Sequence, residues 1–196
     1  MGKREDIIAA TADLIVESGL QSLSFSKIFE RAGVGSGTVY NYFPSKESLL
    51  SSLYREAADL MDREVLADFD KARSLEKRFK TLLGNMARFV IAHRKELIVI
   101  LSCGHSPYVA EELRTQITPS LQTALDLFAE GQVSGELMPM HPMMTVTMLT
   151  GAITAVAQGA LDGKYQLSDG LIEQAIDGCW RAVAAERPTL AAADAH

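Results

Sequence analysis

Positive charge is scarce in this chain of 196 residues: nineteen lysines and arginines face twenty-five acids, a formal net charge of −6. A polybasic clamp on nucleic acid is thereby excluded, and any polyanion must be met by a few placed groups. Cysteine is nearly absent. Cys103 and Cys179 stand far apart with no CxxC, which gives neither a disulfide framework nor a zinc site, and both are expected to act as small buried hydrophobes. Long apolar runs are missing as well: stretches such as 97–101 fall short of the ~20 residues of a membrane span. The start, MGKREDIIAATADLIVESGL, carries acids and Thr11 inside its apolar pattern and does not read as a signal peptide. Asp6 stands where a myristoylation signal beginning at Gly2 needs Ser or Thr. A soluble, cytoplasmic protein is expected. The sequence has no nucleophile motif, no glycine-rich phosphate loop after a strand and no metal-ligand spacing, so neither an enzyme nor a cofactor is expected.

What is present is helix after helix, with no period-2 strand and no internal repeat. At 47% hydrophobic, the chain suffices for one sizeable core or two small ones. A first helix is expected over about 4–18, with Ile8, Ala12 and Ile15 on one face, Leu14 beside them, and Gly19 as its stop. Ser24 caps a second over 25–32, which Gly33 ends; a third covers 36–42; Pro44 breaks the chain and Ser45 caps a long fourth helix. Further helices are expected near 75–93, 95–103, 107–133, 142–162 and 168–185, with turn-like breaks at 69–74, 103–107, 134–142 and 162–170.

The stretch AGVGSGTVYNYFPSKESLL, residues 32–50, is too short for a domain and too aromatic for a linker. Two short helices joined by AGVG have helix-turn-helix spacing. The turn needs a left-handed residue, which Gly33 supplies, and Val34 fills the angle between the helices. The second helix must open with small polar groups, because its first turn enters the major groove; Ser36, Gly37 and Thr38 fit.

Ser24, Ile28-Phe29, Ala32-Gly33-Val34, Gly37, Val39, Tyr40-Asn41-Tyr42-Phe43 and Lys46-Glu47-Ser48-Leu49 resemble, in register, the amino-terminal domain of the TetR (tetracycline repressor) family of bacterial transcription regulators. The resemblance covers about residues 5–54; the rest is similar only in helix number and length. It implies an all-α protein with a helix-turn-helix domain over 1–46, a larger helical ligand-binding and dimerisation domain over 47–186, and a frayed tail over 187–196. Two departures stand out. Phe29 occupies a place where the family prefers Ala, and either widens the packing of the second helix on the third or fills the small core. Gly35 and Ser36 replace a common capping Ser and a common basic residue.

Chemistry and resemblance together give the roles. Asn41 is suited to a bidentate pair with adenine, and Thr38 to a base edge, a thymine methyl or a phosphate. Tyr40 and Tyr42 present hydroxyls to phosphates. Lys46, at the start of the fourth helix, joins the free backbone amides in favouring a phosphate. Phe43 and Val39 are core plugs.

Residues 1–55 hold six basic and six acidic residues, so the whole acidic excess lies beyond them. Five of eight methionines fall between 138 and 148, around His141. Thioethers and an imidazole suit Cu(I), but with no cysteine nearby the packing reading is preferred. Gly151, Ala155 and Gly159 recur at four-residue spacing, which permits close helix approach; with Ile172, Ile176 and Cys179 the resemblance makes them a homodimer interface. Met86, Phe89, His93, Tyr108, Phe128 and Trp180 are the candidate pocket for an apolar effector. The expected function is a dimeric repressor that a small apolar molecule releases from a palindromic double-stranded DNA operator. The rival reading keeps the DNA binding and replaces the effector by a protein partner or by no gate.

Overall fold

A computed structural model describes residues 2–166 and 168–185; the tail expected over 187–196 lies outside the described residues. The described residues form ten α-helices: α1 Lys3–Ser18, α2 Phe25–Ala32, α3 Ser36–Tyr42, α4 Lys46–Val65, α5 Leu75–Ala92, α6 Arg94–Cys103, α7 Glu111–Thr115, α8 Pro119–Val133, α9 Pro142–Leu161 and α10 Asp169–Val183. The fold is all-α. Extended pairing among the described residues is limited to one isolated bridge, Leu137 with Ala184.

Local chemistry explains the boundaries. Ser24, Ser45 and Ser168 each accept a backbone N–H through the side-chain oxygen, from Lys27, Ser48 and Leu171 at 3.5, 3.1 and 3.2 Å. Each such cap is worth about 1 kcal/mol. Gly33 is left-handed, with φ 63° and ψ 32°, and its N–H closes the end of α2 on Glu30 and Phe29 carbonyls.

Three sequence expectations need correction. The single helix expected over 107–133 is two helices, α7 and α8. Gln116 is extended, and Pro119 disfavours helical backbone at the residue before it, so α8 starts afresh there. In α1 the inward face centres on Ile7, Leu14 and Ile15, whereas Ile8 is only partly buried. Thr11, read as a polar interruption, is fully buried because its hydroxyl donates to the Ile7 carbonyl at 2.7 Å. Finally, α9 is long and apolar enough to cross a membrane by length and composition, the one such helix among the described residues. Its threonines conceal this in the sequence. Thr145, Thr147 and Thr150 turn their hydroxyls back onto the carbonyls of His141, Met143 and Val146 at 3.0, 2.9 and 2.8 Å, which satisfies the polar groups within the helix.

The chain divides into two compact units: residues 1–67 with 88–119, and residues 68–87 with 120–196. In the first, α1–α4 share a core with α6 and α7. Ile7, Ile28, Val39, Phe43, Leu49 and Leu50 meet Val99, Cys103 and Val109 in one buried cluster. The small helix-turn-helix module thus completes its core with residues from much later in the sequence. Full burial of each large apolar side chain is worth about 1.5–3 kcal/mol. In the second unit, Phe79 meets Phe128 and Trp180 edge-on at 6.1 and 5.2 Å. Arg78, itself buried, holds both oxygens of Glu130. Lys80 bridges Glu76 and Asp177 at 2.7 and 2.8 Å. Backbone pairs Met138 N–H to Val183 O and Ala185 N–H to Glu136 O, 2.8 and 2.9 Å, fasten the end of α10 to the loop before α9.

Candidate nucleic-acid interface

α3 is short because Gly35 begins it without a side-chain cap and Phe43, extended, ends it. Val39 and Phe43 are buried at 0% and 2% exposure and anchor the helix inward. The opposite side is left to solvent: Ser36, Gly37, Tyr40, Asn41 and Tyr42 are exposed and Thr38 is half-buried. A Cβ added at Gly37 would meet nothing within 4 Å, so a large surface can approach the backbone there. α3 carries no charge, and its exposed groups are hydroxyls, an amide and bare backbone. Such a surface is fitted to read edges by hydrogen bonding.

Tyr40 has a second attachment. Its ring lies 5.1 Å from Phe25 and 6.0 Å from Phe29, and Phe25 stacks on Phe29 at 5.8 Å. Phe29 therefore joins a three-ring cluster across the α2–α3 angle. The cluster fixes the base of Tyr40, still 48% exposed. In the sequence, the departure from Ala at position 29 was the only sign of it.

The basic residues of this module are largely committed inside it. Arg31 donates to both carboxylate oxygens of Glu17 at 2.8 and 2.6 Å, Arg4 to Glu56 at 2.6 Å, Lys27 to the Ser22 carbonyl at 2.9 Å and Lys46 to the Leu23 carbonyl at 3.0 Å. Arg31 accordingly holds the Glu17 carboxyl below its usual range. Lys46 also rides 4.6 Å over the Tyr108 ring. One of its three N–H donors is used by Leu23, which leaves others for a phosphate, while in the first turn of α4 the Ser48 N–H is already taken by Ser45 Oγ.

The remaining candidates are divided between the two units. Phe89 and His93 stack at 5.2 Å in the first unit. Phe128 and Trp180 pack around Phe79 in the second, which also holds Met86. Tyr108, in the first unit, lies under the Lys46 ammonium. Of the proposed small-residue stripe, Gly151 and Ala155 are exposed, but Gly159 is covered: a Cβ there would stand 2.5 Å from the Tyr165 hydroxyl oxygen. On α10, Ile176 and Cys179 are buried within the chain and Ile172 is partly buried. Exposed on α10 are Asp169, Gly170, Glu173, Gln174, Arg181 and Ala182, with Gly178 half-buried. In the methionine-rich segment, Gln132 holds the carbonyls of Met138 and Met140 at 3.1 and 2.6 Å, and His141 Nδ1 accepts the Met144 N–H at 3.5 Å. These are packing and capping roles. Met143, Met144 and Met148 remain exposed on α9.

Residues 7–53 match the family model of bacterial regulatory proteins of the tetR family, and residues 54–185 match that of the tetracyclin repressor-like C-terminal domain. A fatty acid metabolism regulator protein of Bacillus subtilis is 29% identical over 187 residues, covering 90% of this chain and 95% of the relative. The transcriptional regulator RutR of Escherichia coli K12 is 25% identical over 150 residues, 75% and 70% of the two chains. A TetR family transcription regulator from Marinobacter aquaeolei shares the fold at TM-score 0.84 and 23% identity, covering 94% of this chain and 96% of that one. The fatty acid degradation regulator FadR from Bacillus halodurans follows at TM-score 0.70 and 26% identity, covering 92% and 95%. With residues 7–53 and 54–185 both matched, the chain belongs to the TetR family of DNA-binding transcription regulators.

Proposed function

We propose that this protein is a cytoplasmic homodimeric repressor that binds a palindromic double-stranded operator and leaves it when a small apolar molecule binds. The uncharged, solvent-facing side of α3 carries this reading. Ser36, Gly37, Thr38 and Asn41 are the base-facing set, with Tyr40, Tyr42 and Lys46 positioning on phosphates. One such helix reads only a half-site. Two must lie about 34–36 Å apart to read a palindrome.

The dimer is supported by the outer face of α9. No charged residue occurs from 137 to 161, and Met144, Met148, Gly151, Ala152 and Ala155 are exposed on one helix. An apolar face of that length left in water is unfavourable and fits a second copy of the same surface. The interface is accordingly assigned to Gly151 and Ala155 with the outer face of α10. Gly159, Ile176 and Cys179 support it from within.

An apolar effector is supported by the stacked Phe89–His93 pair, which combines apolar area with one polar edge. The name of the Bacillus subtilis relative, a fatty acid metabolism regulator, points the same way, toward acyl compounds. Thermal denaturation against acyl compounds, hydrophobic drugs, sugars and phosphorylated metabolites tests this, because a ligand of the folded state raises the melting temperature with concentration. Acyl or other apolar compounds are expected to stabilise the protein and to free a selected operator fragment. Stabilisation by sugars or phosphorylated compounds alone overturns the reading. No stabilisation at all favours gating by a protein partner.

A further inference from the structure

We propose that the cleft between α1, α4 and α6 is a binding site for an organic cation with an apolar body. The cleft has a volume of about 430 Å³, within the range of small-molecule sites. It lies wholly within the first unit. Its floor is apolar: Ile8, Ala12, Leu53, Ala57, Leu60 and Val99. Ala12, Leu53, Ala57 and Val99 are buried and belong to the unit's core, so the floor is rigid and preformed.

The rim decides the charge of the occupant. Glu5, Glu56, Asp59 and Glu96 face two bases, Arg63 and Lys95. Both neutralisations available from just outside leave the balance unchanged: Arg4 pairs with Glu56 at 2.6 Å and Asp13 with Lys95 at 2.5 Å. Two negative charges remain in excess. Among the described residues Glu96 pairs with His93, at the long distance of 4.0 Å, and Asp59 makes no ion pair. A cation over an apolar floor gains attraction from these carboxylates while its body is desolvated; an anion of the same shape meets repulsion. A metal ion does not fit as well, because no three acidic, histidine or cysteine side chains among the described residues converge closely enough to hold one.

None of the residues proposed for the apolar effector lines this cleft, although His93 stands 4.0 Å from Glu96 on its rim, and the test uses the full chain without operator. Two hydrophobic ions of matched size and opposite charge serve as probes: tetraphenylphosphonium and tetraphenylborate, titrated calorimetrically in sodium buffer. Tetraphenylphosphonium is expected to bind at least about tenfold tighter than tetraphenylborate, with methyl NMR shifts concentrated at Ala9, Leu60 and Val99. The double substitution Asp59→Asn with Glu96→Gln should erase most of that preference, and Asp59→Lys with Glu96→Lys should reverse it. Equal binding of the two probes overturns the proposal. So does a preference that survives the amide substitutions, or shifts confined to the second unit.

Discussion

The ammonium of Lys46 lies 4.6 Å over the ring of Tyr108 and at the same time donates to the Leu23 carbonyl at 3.0 Å. Close by, the Ala110 N–H donates to Ser51 Oγ at 3.2 Å. The first turns of α4 are thereby held to the segment between α6 and α7. Removing the ring by Tyr108→Ala should lower stability by about 0.5–1 kcal/mol. It should leave the salt dependence of DNA binding unchanged. Lys46→Ala should weaken all DNA sequences alike and reduce the magnitude of the slope of log K against log salt by about 0.9, one phosphate contact. Filter binding at several salt concentrations separates the two; an unchanged slope for Lys46→Ala would mean that the lysine serves the fold alone.

Asn41 is exposed on the uncharged face of α3. Asn41→Ala should weaken binding by about 1–3 kcal/mol and relax preference at one or two base pairs in each half-site. Selection from a randomised library with parent and variant checks this, and identical selected sequences would remove Asn41 from base reading.

Gly151 and Ala155 face solvent in the single chain, and nothing lies within 4 Å of a Cβ at Gly151. Ala155→Glu should therefore leave the monomer folded but place a carboxylate against an apolar partner, giving monomers by sedimentation and poor operator binding. Gly159→Ala behaves differently. Its methyl meets the Tyr165 hydroxyl, which donates to the Val156 carbonyl at 2.6 Å, so it should displace that exposed ring and break its bond while leaving the dimer intact. A tight Ala155→Glu dimer would move the interface elsewhere.

The contrast between those two positions shows where the sequence was legible. Helices with caps and stop signals, such as Ser24–Gly33 around α2, are local, and their boundaries follow from the residues alone. Gly159 has the same spacing as Gly151 and Ala155, yet its neighbour is a tyrosine brought back by the following turn. Spacing along a helix states which residues share a face, not what covers it. The same limit applies to Tyr108, chosen for aromatic character on a helix that does not exist as one piece, and to Lys46, whose partners lie far away in the chain. The exposed set on α3 was readable because the motif fixes both its inward anchors and its outward surface.

Acid should unfold the protein through its paired carboxylates. Arg78 holds the Glu130 carboxyl below its ordinary 4.5, Arg31 lowers Glu17 and Lys80 lowers Asp177. A depressed carboxyl contributes stability that is complete above its unfolded value and is lost as pH falls through the lower folded value. The melting temperature should hold steady at higher pH and fall progressively below about pH 4.5. Glu130→Gln should shrink that acid sensitivity. At neutral pH it should also destabilise by about 1–2 kcal/mol, less than a fully buried pair would, because the Glu130 side chain is 54% exposed while Arg78 is not.

Cys103 has no exposed surface, and burial pushes its thiol up to about 11. It should resist thiol reagents at pH 8 in the folded protein and react fully once denaturant is added. Rapid labelling without denaturant would show that the α6 end opens.

The self-paired basic residues around α3 have a kinetic meaning. A protein that slides along DNA does so by a loose, sequence-blind hold on phosphates, and Arg4, Lys27 and Arg31 are held in bonds within their own unit. Such a reader is expected to dwell only briefly on non-specific DNA. If the proposed operator reading holds, more of the protein is expected to stay free in solution than for a strongly basic competitor, and the encounter rate with its operator to follow copy number more directly.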